Sequence, residues 1–406
     1  MPPSHVHIVG AGLGGLTLAR ILQLSNILVT VYERETDPVS RAQGGTLDMH
    51  TQTGQKALRL AKLHDKFEEQ CSRLADTMMI RGKDGGPPGE GPPDDNEDHD
   101  GPPDGDRPEI DRGILRKILL DSLEPGTVQW GHTLRSITPT ATGMHRLVVE
   151  TANSTFKTFV AEFVVGADGA WSKMRPILTP AVPAYTGVTF VETELHDVDS
   201  QHPEIAQLVG DGTMSAIQDS KGIIVQRNSG GKCKVYLAFR VAQSWASVDS
   251  GIPFDSDAET TRARLVGLFE GWSEGLLNVL RVAEPNFIPR PLFAMDPETR
   301  WETKEGITLL GDAAHVMSPF AGEGANLAMI DAAELGYALA GKNLSGEEAS
   351  TSVTQAVAAF ESRMFKRAKP AAEESAKNLD LFISDQAPFA VAEMMKEMMS
   401  RGPPPS

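Results

Sequence analysis

The residues of this chain that could do chemistry begin with a glycine motif and an acid. Gly10, Gly12 and Gly15 have the spacing G-x-G-x-x-G, between a short apolar run and a stretch with helical spacing of apolar residues. The first glycine permits a tight turn, the second lets a pyrophosphate approach the backbone, and the third lets the helix pack closely on the strand. Glu33, about 20 residues further on at the end of a second strand, can accept the hydroxyl groups of a ribose. The pattern predicts a dinucleotide-binding βαβ unit and leaves open whether the dinucleotide is FAD or NAD(P).

Two later motifs also stand at the ends of apolar strands. An Asp-Gly pair at positions 168–169 closes one apolar run and has a basic residue, Arg175, beyond it. A Gly-Asp pair at 311–312 closes another run, and a glycine loop at 322–326 then opens a helix. Such an aspartate can bind a ribityl hydroxyl group, and the N–H groups at a helix N-terminus can face the electron-accepting edge of a flavin. The three motifs in this order favour FAD over a set of unrelated turns.

The composition excludes several other classes of protein. The chain of 406 residues is 40% hydrophobic and has a formal net charge of −17, which argues against binding to nucleic acid or to an anionic membrane surface. Cys71 and Cys233 have no partners at metal-site or disulfide-framework spacing, which favours a reducing compartment. No stretch reaches the roughly 18 apolar residues that span a bilayer. The first strand begins near residue 5, which leaves no room for a signal peptide, so we expect a cytoplasmic protein. We further expect a small-molecule substrate and no metal, with a monomer as the default oligomeric state.

The pattern along the chain predicts an α/β protein built around the dinucleotide site. The stretch 82–108 has Gly-Pro-Pro triplets and many acids but no apolar anchor, so it predicts a disordered surface insertion. Alternating residues between 183 and 291 predict antiparallel strands, and helical spacing at 354–382 predicts one long helix. The predicted organisation is a Rossmann-like FAD-binding domain in three parts (1–75, 109–178 and 295–342), an inserted antiparallel-sheet substrate domain (179–294), and C-terminal helices that bridge the domains (352–400).

In this order of motifs the sequence resembles the single-component flavoprotein monooxygenases of the p-hydroxybenzoate hydroxylase type. Within that group it is most similar to the tetracycline-inactivating monooxygenases, over nearly the whole chain except the acidic insertion. The segments that carry the likeness are 44–50, 54–55, 109–119, 203–205 and 311–326. The resemblance implies non-covalent FAD, NADPH as co-substrate and O₂. It also implies hydroxylation of an aromatic or enolic polycyclic molecule through a flavin C4a-hydroperoxide.

The resemblance further implies a set of cofactor-binding residues. By role, these are Glu33 for the adenosine ribose, Asp48 and Arg112 for FAD, Asp312 for the ribityl chain, residues 322–326 for the isoalloxazine ring, Arg41 for recruiting NADPH, and Asp168 and Arg175 for supporting the cofactor region. The complete predicted set is Gly10, Gly12, Leu13, Gly14, Gly15, Glu33, Arg34, Arg41, Asp48, Arg112, Asp168, Gly169, Arg175, Gly311, Asp312, Pro319, Gly322, Gly324, Ala325 and Asn326.

The substrate side departs from the tetracycline enzymes. They have a glutamine where Glu192 stands, an arginine near Thr213 and a histidine where Tyr236 stands. A carboxylate cannot donate as an amide does, and a threonine brings no charge to an anionic enolate. These differences argue against tetracycline as the natural substrate, although the scaffold is kept. The predicted substrate contacts are Glu192, Thr213, Gln226 and Tyr236, and Glu192 or Tyr236 is predicted to orient or deprotonate a substrate hydroxyl group.

The sequence also bears on other functions of a flavin fold. A flavin-dependent halogenase is disfavoured because the W-x-W-x-I-P stretch of that group is missing. The sequence does not distinguish hydroxylation from a Baeyer–Villiger insertion. A flavin-binding protein without turnover, acting through a partner at the acidic insertion, also stays open.

Overall fold

The chain folds into a mixed α/β structure. The computed structural model describes residues 2–40, 44–73, 78–88, 107–346 and 352–400. The strands are β1 (His5–Val9), β2 (Leu28–Tyr32), β3 (Thr46–Asp48), β4 (Met78–Arg81), β5 (Glu109–Asp111), β6 (Val128–Gln129), β7 (His132–Pro139), β8 (His145–Thr151), β9 (Phe156–Ala161), β10 (Phe163–Gly166), β11 (Ala184–Leu195), β12 (Thr213–Gln218), β13 (Lys221–Asn228), β14 (Lys232–Arg240), β15 (Ile288–Ala294) and β16 (Ile307–Leu309). The helices are α1 (Leu13–Leu24), α2 (Gly54–Leu60), α3 (His64–Glu68), α4 (Arg112–Asp121), α5 (Arg175–Leu178), α6 (Val198–Gln201), α7 (Pro203–Val209), α8 (Ala258–Leu268), α9 (Glu274–Val282), α10 (Asp312–His315), α11 (Gly324–Leu339), α12 (Val353–Phe382) and α13 (Phe389–Ser400), with a π-helical turn at Trp245–Asp249 and a 3₁₀ turn at Pro319–Ala321.

A parallel sheet of five strands, in the order β16-β10-β1-β2-β6, brings the three sequence motifs together. Its central strands β1 and β10 are almost wholly buried, as expected for parallel strands that are covered on both faces. The register pairs Val9 with Gly166, and Gly166 with Leu309. The carboxyl ends of β1, β10 and β16 therefore meet at one edge. This is the edge at which open α/β sheets bind their ligands.

A second sheet of six strands has the order β15-β11-β14-β13-β12-β4. It is antiparallel except that β4 runs parallel to β12, and β4 was not foreseen as part of it. Side chains alternate between its two faces, since the side-chain period of a strand is two. One face, with Val225 and Val235, packs in a core that includes Phe269 and Leu276 from the helical side. Part of the opposite face, including Phe190, packs against Phe382 and Ile383 at the end of α12.

The long helix α12 connects the two sheets. It begins with a capping box, in which the Ser352 hydroxyl accepts from the Gln355 N–H, and it continues through Pro370. Phe360 packs in the core of the parallel sheet, whereas Phe382 packs against the second sheet. The predicted fold class, a Rossmann-like α/β domain with an antiparallel sheet and a long C-terminal helix, is confirmed. No helix in the described part of the chain is long and apolar enough to cross a membrane.

The predicted disordered insertion is only partly described. The Lys83 N–H donates to the side chain of Gln218 on β12 at 3.1 Å, and the Lys83 carbonyl accepts from the N–H of Ser273, the N-cap of α9, at 2.7 Å. Residues 82–88 therefore have a defined conformation, contrary to the prediction, because segments distant in the sequence supply hydrogen bonds to them. Residues 89–106 lie outside the described residues.

The buried imidazole of His7 on β1 predicts acid sensitivity of the fold. Burial first, and the neighbouring His5 second, lower the pKa of His7 to about 4. The unfolded chain takes up this proton near pH 6.5, so the stabilisation is complete above that pH and is lost as the pH falls toward 4. We expect the His7-dependent part of the unfolding free energy to fall by about 2 kcal/mol between pH 8 and pH 5.

Urea unfolding of the protein and of His7→Gln at both pH values measures this difference. Glutamine can keep a hydrogen bond to the Tyr32 hydroxyl, which lies 3.2 Å from His7 Nδ1. An identical pH dependence in the two proteins would contradict the prediction.

Candidate functional site

In the glycine turn after β1, two glycines pack closely against protein backbone and the glycine between them faces open space. A Cβ on Gly10 would lie 2.2 Å from the Ala167 carbonyl oxygen, and a Cβ on Gly15 would lie 2.1 Å from the Gly10 carbonyl oxygen. Gly12 is exposed, and a Cβ there would have no atom within 4 Å. Gly10 and Gly15 thus allow close packing of the backbone, whereas Gly12 leaves its backbone accessible to a ligand. Leu13 and Gly14, also in the predicted set, are buried in the first turn of α1.

Glu33 stands beside this turn at the end of β2. Its side chain is buried, and its two oxygens accept from the Ala11 N–H at 2.7 Å and the Glu35 N–H at 3.0 Å. These bonds hold the acid at the edge of the glycine turn, where a ribose would be recognised. The neighbouring Arg34 is exposed.

Arg116 on α4 supports the turn and was missed by the sequence analysis. It is 4% exposed, and its guanidinium donates to the Ala11 carbonyl at 3.2 Å, the Pro38 carbonyl at 2.9 Å and the Glu35 carboxylate at 3.0 Å. An arginine between apolar residues on the inner face of α4 was the only signal in the sequence. Because a buried cation must be paired, Arg116 ties together the backbone on both sides of Glu33.

Arg175 joins the second and third motifs. Its buried guanidinium donates to the carbonyls of Ala170 at 2.7 Å, Asp312 at 3.1 Å and Ala313 at 2.8 Å. Burial lowers its pKa. The side chain therefore supports the cofactor region from within, and the Asp312 side chain itself is exposed.

Asp168 and Gly169 lie in the loop that precedes Arg175. One oxygen of Asp168 accepts from the Lys173 N–H at 2.7 Å, and the other is buried without a hydrogen-bond partner among the described residues. Burial raises the pKa of Asp168. Gly169 has a φ of +80°, which a side chain would strain.

The loop at 319–326 meets the end of β3. After the 3₁₀ turn that Pro319 begins, Gly322 has a φ of +67°, and a Cβ on it would lie 3.1 Å from the Asp48 carboxylate. The Asn326 amide group donates to the Asp48 carbonyl at 2.9 Å. Gly324 begins α11, and a Cβ on it would have no atom within 4 Å. The helix N-terminus, with Ala325 in its first turn, thus opens onto free space beside Asp48.

The predicted cofactor contacts include two further arginines, Arg112 and Arg41. Arg112 begins α4 with an exposed side chain, and its N–H donates to the Gly45 carbonyl at 3.2 Å. Arg41 lies outside the described residues, so its predicted role with NADPH stays a prediction. A cation that the sequence analysis did not single out, Arg107, has a guanidinium nitrogen 4.0 Å from the Asp48 carboxylate.

These residues fit FAD. The open backbone at Gly12 matches a pyrophosphate, and the acid beside the turn matches a ribose. The open helix start at Gly324 matches a flavin ring. A side chain at Gly12 or Gly324 would project into open space that such a ligand would need.

All four predicted substrate residues lie on the face of the second sheet opposite the core that includes Phe269 and Leu276. Glu192 is directly opposite Tyr236, and Thr213 is directly opposite Gln226. The Tyr236 hydroxyl would lie 2.9 Å from a Cβ on Gly45, so Tyr236 meets the segment that leads into β3. The Gln226 amide nitrogen lies 3.5 Å from the Thr46 carbonyl oxygen. The sheet thus brings these polar groups to the segment that carries Asp48.

Aromatic and charged groups complete this face. The ring of Phe190 lies 5.6 Å from that of Tyr236 and 5.9 Å from that of Phe320, measured between centroids. Arg290 on β15, missed by the sequence analysis, has its Nε 3.5 Å from the Glu192 carboxylate. Burial first, and the charge of Glu192 second, raise the pKa of Tyr236 well above its usual range, so its phenol stays protonated.

Comparison with known proteins identifies the family. The profile described as "FAD binding domain" matches residues 4–244 and 298–360. Monooxygenase asqM of Emericella nidulans is 29% identical over 96% of this chain and 98% of its own length. The crystal structure of Klebsiella pneumoniae HpxO complexed with FAD and uric acid has a TM-score of 0.74 at 19% identity, over 98% of this chain and 93% of that one. Tetracycline destructase Tet(51) has a TM-score of 0.69 at 17% identity, over 98% of this chain and 96% of that one.

At these identities the two solved structures establish the fold alone. The profile match extends over both parts of the parallel sheet and most of the second sheet. The relatives that match along almost the full chain, asqM and monooxygenase penA of Penicillium thymicola, are named monooxygenases. The chain therefore belongs to the FAD binding domain family.

Proposed function

We propose that this chain is an FAD-dependent monooxygenase that uses NAD(P)H and O₂ to hydroxylate an aromatic or enolic polycyclic molecule. The observation that carries the proposal is the meeting of the polar and aromatic face of the second sheet with residues 44–46, which lead to Asp48 and the open start of α11. The monooxygenase relatives support the same reading. Bound FAD would supply the redox chemistry, taking electrons from NAD(P)H and activating O₂.

The residues of the chain would bind and orient the cofactor. The open turn at Gly12 and the N–H groups of α1 would take the pyrophosphate, Glu33 the adenosine ribose, and Asp312 the ribityl chain. The start of α11 would face the flavin ring. Arg112 and Arg41 remain proposed contacts to FAD and NADPH.

The substrate would lie between the flavin ring and the second sheet. The partly exposed ring of Phe320, packed against the buried ring of Phe190, would offer apolar contact to an aromatic molecule. Because the phenol of Tyr236 stays protonated, it would donate a hydrogen bond to a substrate oxygen. Glu192 would accept the proton of a substrate hydroxyl group, while Arg290 holds that carboxylate in place.

The function is tested on the purified protein with bound FAD. We expect NAD(P)H oxidation that is stimulated by phenolic or enolic polycycles, with one atom of ¹⁸O₂ appearing in the product. Protein that holds FAD but oxidises neither NADH nor NADPH with any member of such a panel would contradict the proposal. It would favour a flavin protein that acts without turnover.

Two substitutions test the substrate residues. Glu192→Gln is expected to lower the rate of hydroxylation about 100-fold, because a positioned proton acceptor is lost. Tyr236→Phe is expected to lower it about tenfold through the loss of one hydrogen bond. Product formation and NAD(P)H consumption are measured separately, since consumption can continue without product. Glu194→Gln is the control, because Glu194 follows on the same face but pairs with His196. Unchanged hydroxylation in both variants would remove these residues from the site.

A further inference from the structure

His50 lies between two carboxylates next to the proposed flavin ring. It is 7% exposed, with Nε2 2.8 Å from Asp48 Oδ2 and Nδ1 3.0 Å from Glu323 Oε1. An imidazole can donate from both nitrogens only when it is protonated, so bridging two ionised carboxylates requires the imidazolium. Burial alone would lower the pKa of His50, but the hydrogen bonds and charges of Asp48 and Glu323 raise it to about 9.

The backbone around His50 also connects the segment that carries Asp48 to the start of α11. The His50 N–H donates to the Asn326 side-chain oxygen at 3.0 Å, and the Asn326 amide group donates to the Asp48 carbonyl at 2.9 Å and the Gly322 carbonyl at 3.1 Å. A Cβ on Gly54 would lie 2.2 Å from that Asn326 oxygen. The segment from Asp48 to Gly54 and the start of α11 therefore fit together without spare room.

We propose that His50 is a positioning residue of the flavin site, which as a cation holds the Asp48 segment against the start of α11 and offsets the two carboxylates beside the flavin ring. This inference rests on the proposed location of the ring at Gly324. Reduction adds electron density to a flavin ring, and nearby carboxylates oppose that change at short range. The charged groups around His50 are Asp48 on β3, Glu323 before α11 and Arg107 before β5, 4.0 Å from Asp48.

The chain provides a matched control for removing the histidine. His196 also lies between two carboxylates, 3.1 Å from Glu194 and 3.6 Å from Glu284, but it is 39% exposed and follows the end of β11. We expect His50→Gln to weaken FAD binding about tenfold, since two partly buried carboxylates lose a shared hydrogen-bond partner. We also expect the reduction potential of the remaining bound FAD to become more negative. His196→Gln should change neither. Affinity is measured by titration of flavin fluorescence, and the potential by equilibration with reference dyes.

A pH titration separates the charge of His50 from its size. In the unsubstituted protein, FAD binding should weaken as the pH rises through about 9, where the imidazolium loses its proton. Glu323→Gln removes one of the two carboxylates and should move this midpoint to lower pH. This variant keeps His50, so it also serves if His50→Gln does not fold. An unchanged potential and affinity in His50→Gln, or an unchanged midpoint in Glu323→Gln, would overturn the inference.

Gly324→Val distinguishes a wrong role for His50 from a wrong location of the flavin. The Cβ of a valine there would have no protein atom within 4 Å, so the fold should remain while the ring is blocked. Loss of FAD from Gly324→Val together with normal binding by His50→Gln would overturn the role of His50 alone. Normal binding by Gly324→Val would overturn the location of the ring and, with it, the inference.

Discussion

Gly12→Val is expected to abolish FAD binding and to leave the protein folded. A Cβ at Gly12 would have no atom within 4 Å, and the backbone there is extended, with a φ of −77°. Valine is a poorer helix N-cap than glycine, which costs no more than about 1 kcal/mol. Its side chain would occupy the space that a pyrophosphate needs to reach the N–H groups of α1. Losing two such charge-assisted hydrogen bonds weakens binding by at least about 100-fold.

Gly15→Val in the same motif is expected to destabilise the fold itself. A Cβ at Gly15 would lie 2.1 Å from the Gly10 carbonyl oxygen and 3.3 Å from the Ala167 Cβ, so strand and helix must separate. Overpacking of this kind costs about 3 kcal/mol or more, because backbone atoms cannot move aside cheaply. Thermal unfolding without FAD and fluorescence titration with FAD measure the two effects. Tight FAD binding by Gly12→Val, or normal stability of Gly15→Val, would contradict this division of roles.

Asp331→Asn is expected to destabilise the fold by about 3–5 kcal/mol, since it leaves the buried His315 without its paired carboxylate and Arg367 with Glu334 alone. Asp331 on α11 is 1% exposed and accepts from His315 Nε2 at 2.6 Å and Arg367 Nη2 at 2.8 Å. Oδ2 of Asp331, which contacts His315, also accepts from the Gly311 N–H at 3.3 Å. Because Gly311 precedes Asp312, loosening of this network should also weaken FAD binding in whatever fraction stays folded.

A surface pair provides the control for Asp331. Asp380 on α12 is 70% exposed and pairs with Arg240 at 3.1 Å. Asp380→Asn should cost less than about 1 kcal/mol, because exposed ion pairs are weak. Chemical denaturation of both variants without FAD gives the comparison. Equal, small losses would show that Arg367 and its second partner Glu334 hold the network without Asp331.

The parts of the site that depend on local geometry could be predicted from the sequence. The turn at Gly10 to Gly15 and the strand ends before Asp168 and Asp312 are each specified by a few neighbouring residues. Their residue types say which backbone conformation is allowed and which groups it exposes. The order of the motifs then indicated FAD. The family match confirms that indication, and the roles of the individual residues remain predictions.

Contacts between distant segments could not be predicted in this way. Arg116 was indistinguishable from an ordinary helix arginine until Ala11 and Glu35 were placed beside it. β4 joined the second sheet because β12 offered it a free edge, which no pattern within residues 78–81 specifies. The composition of the start of the acidic insertion predicts disorder, because its hydrogen-bond partners, such as Gln218, are far along the chain and do not enter a local pattern.

The sequence by itself determined the fold class, the glycine turn and the acid at Glu33, since these follow from periodicity and from steric limits on a few adjacent residues. Only the tertiary structure decided that His50 meets Glu323, that Glu192 meets Arg290, and that the second sheet lies against residues 44–46. Such contacts depend on where packing brings separate elements. A charged or polar side chain does not show in the sequence which distant partner will satisfy it.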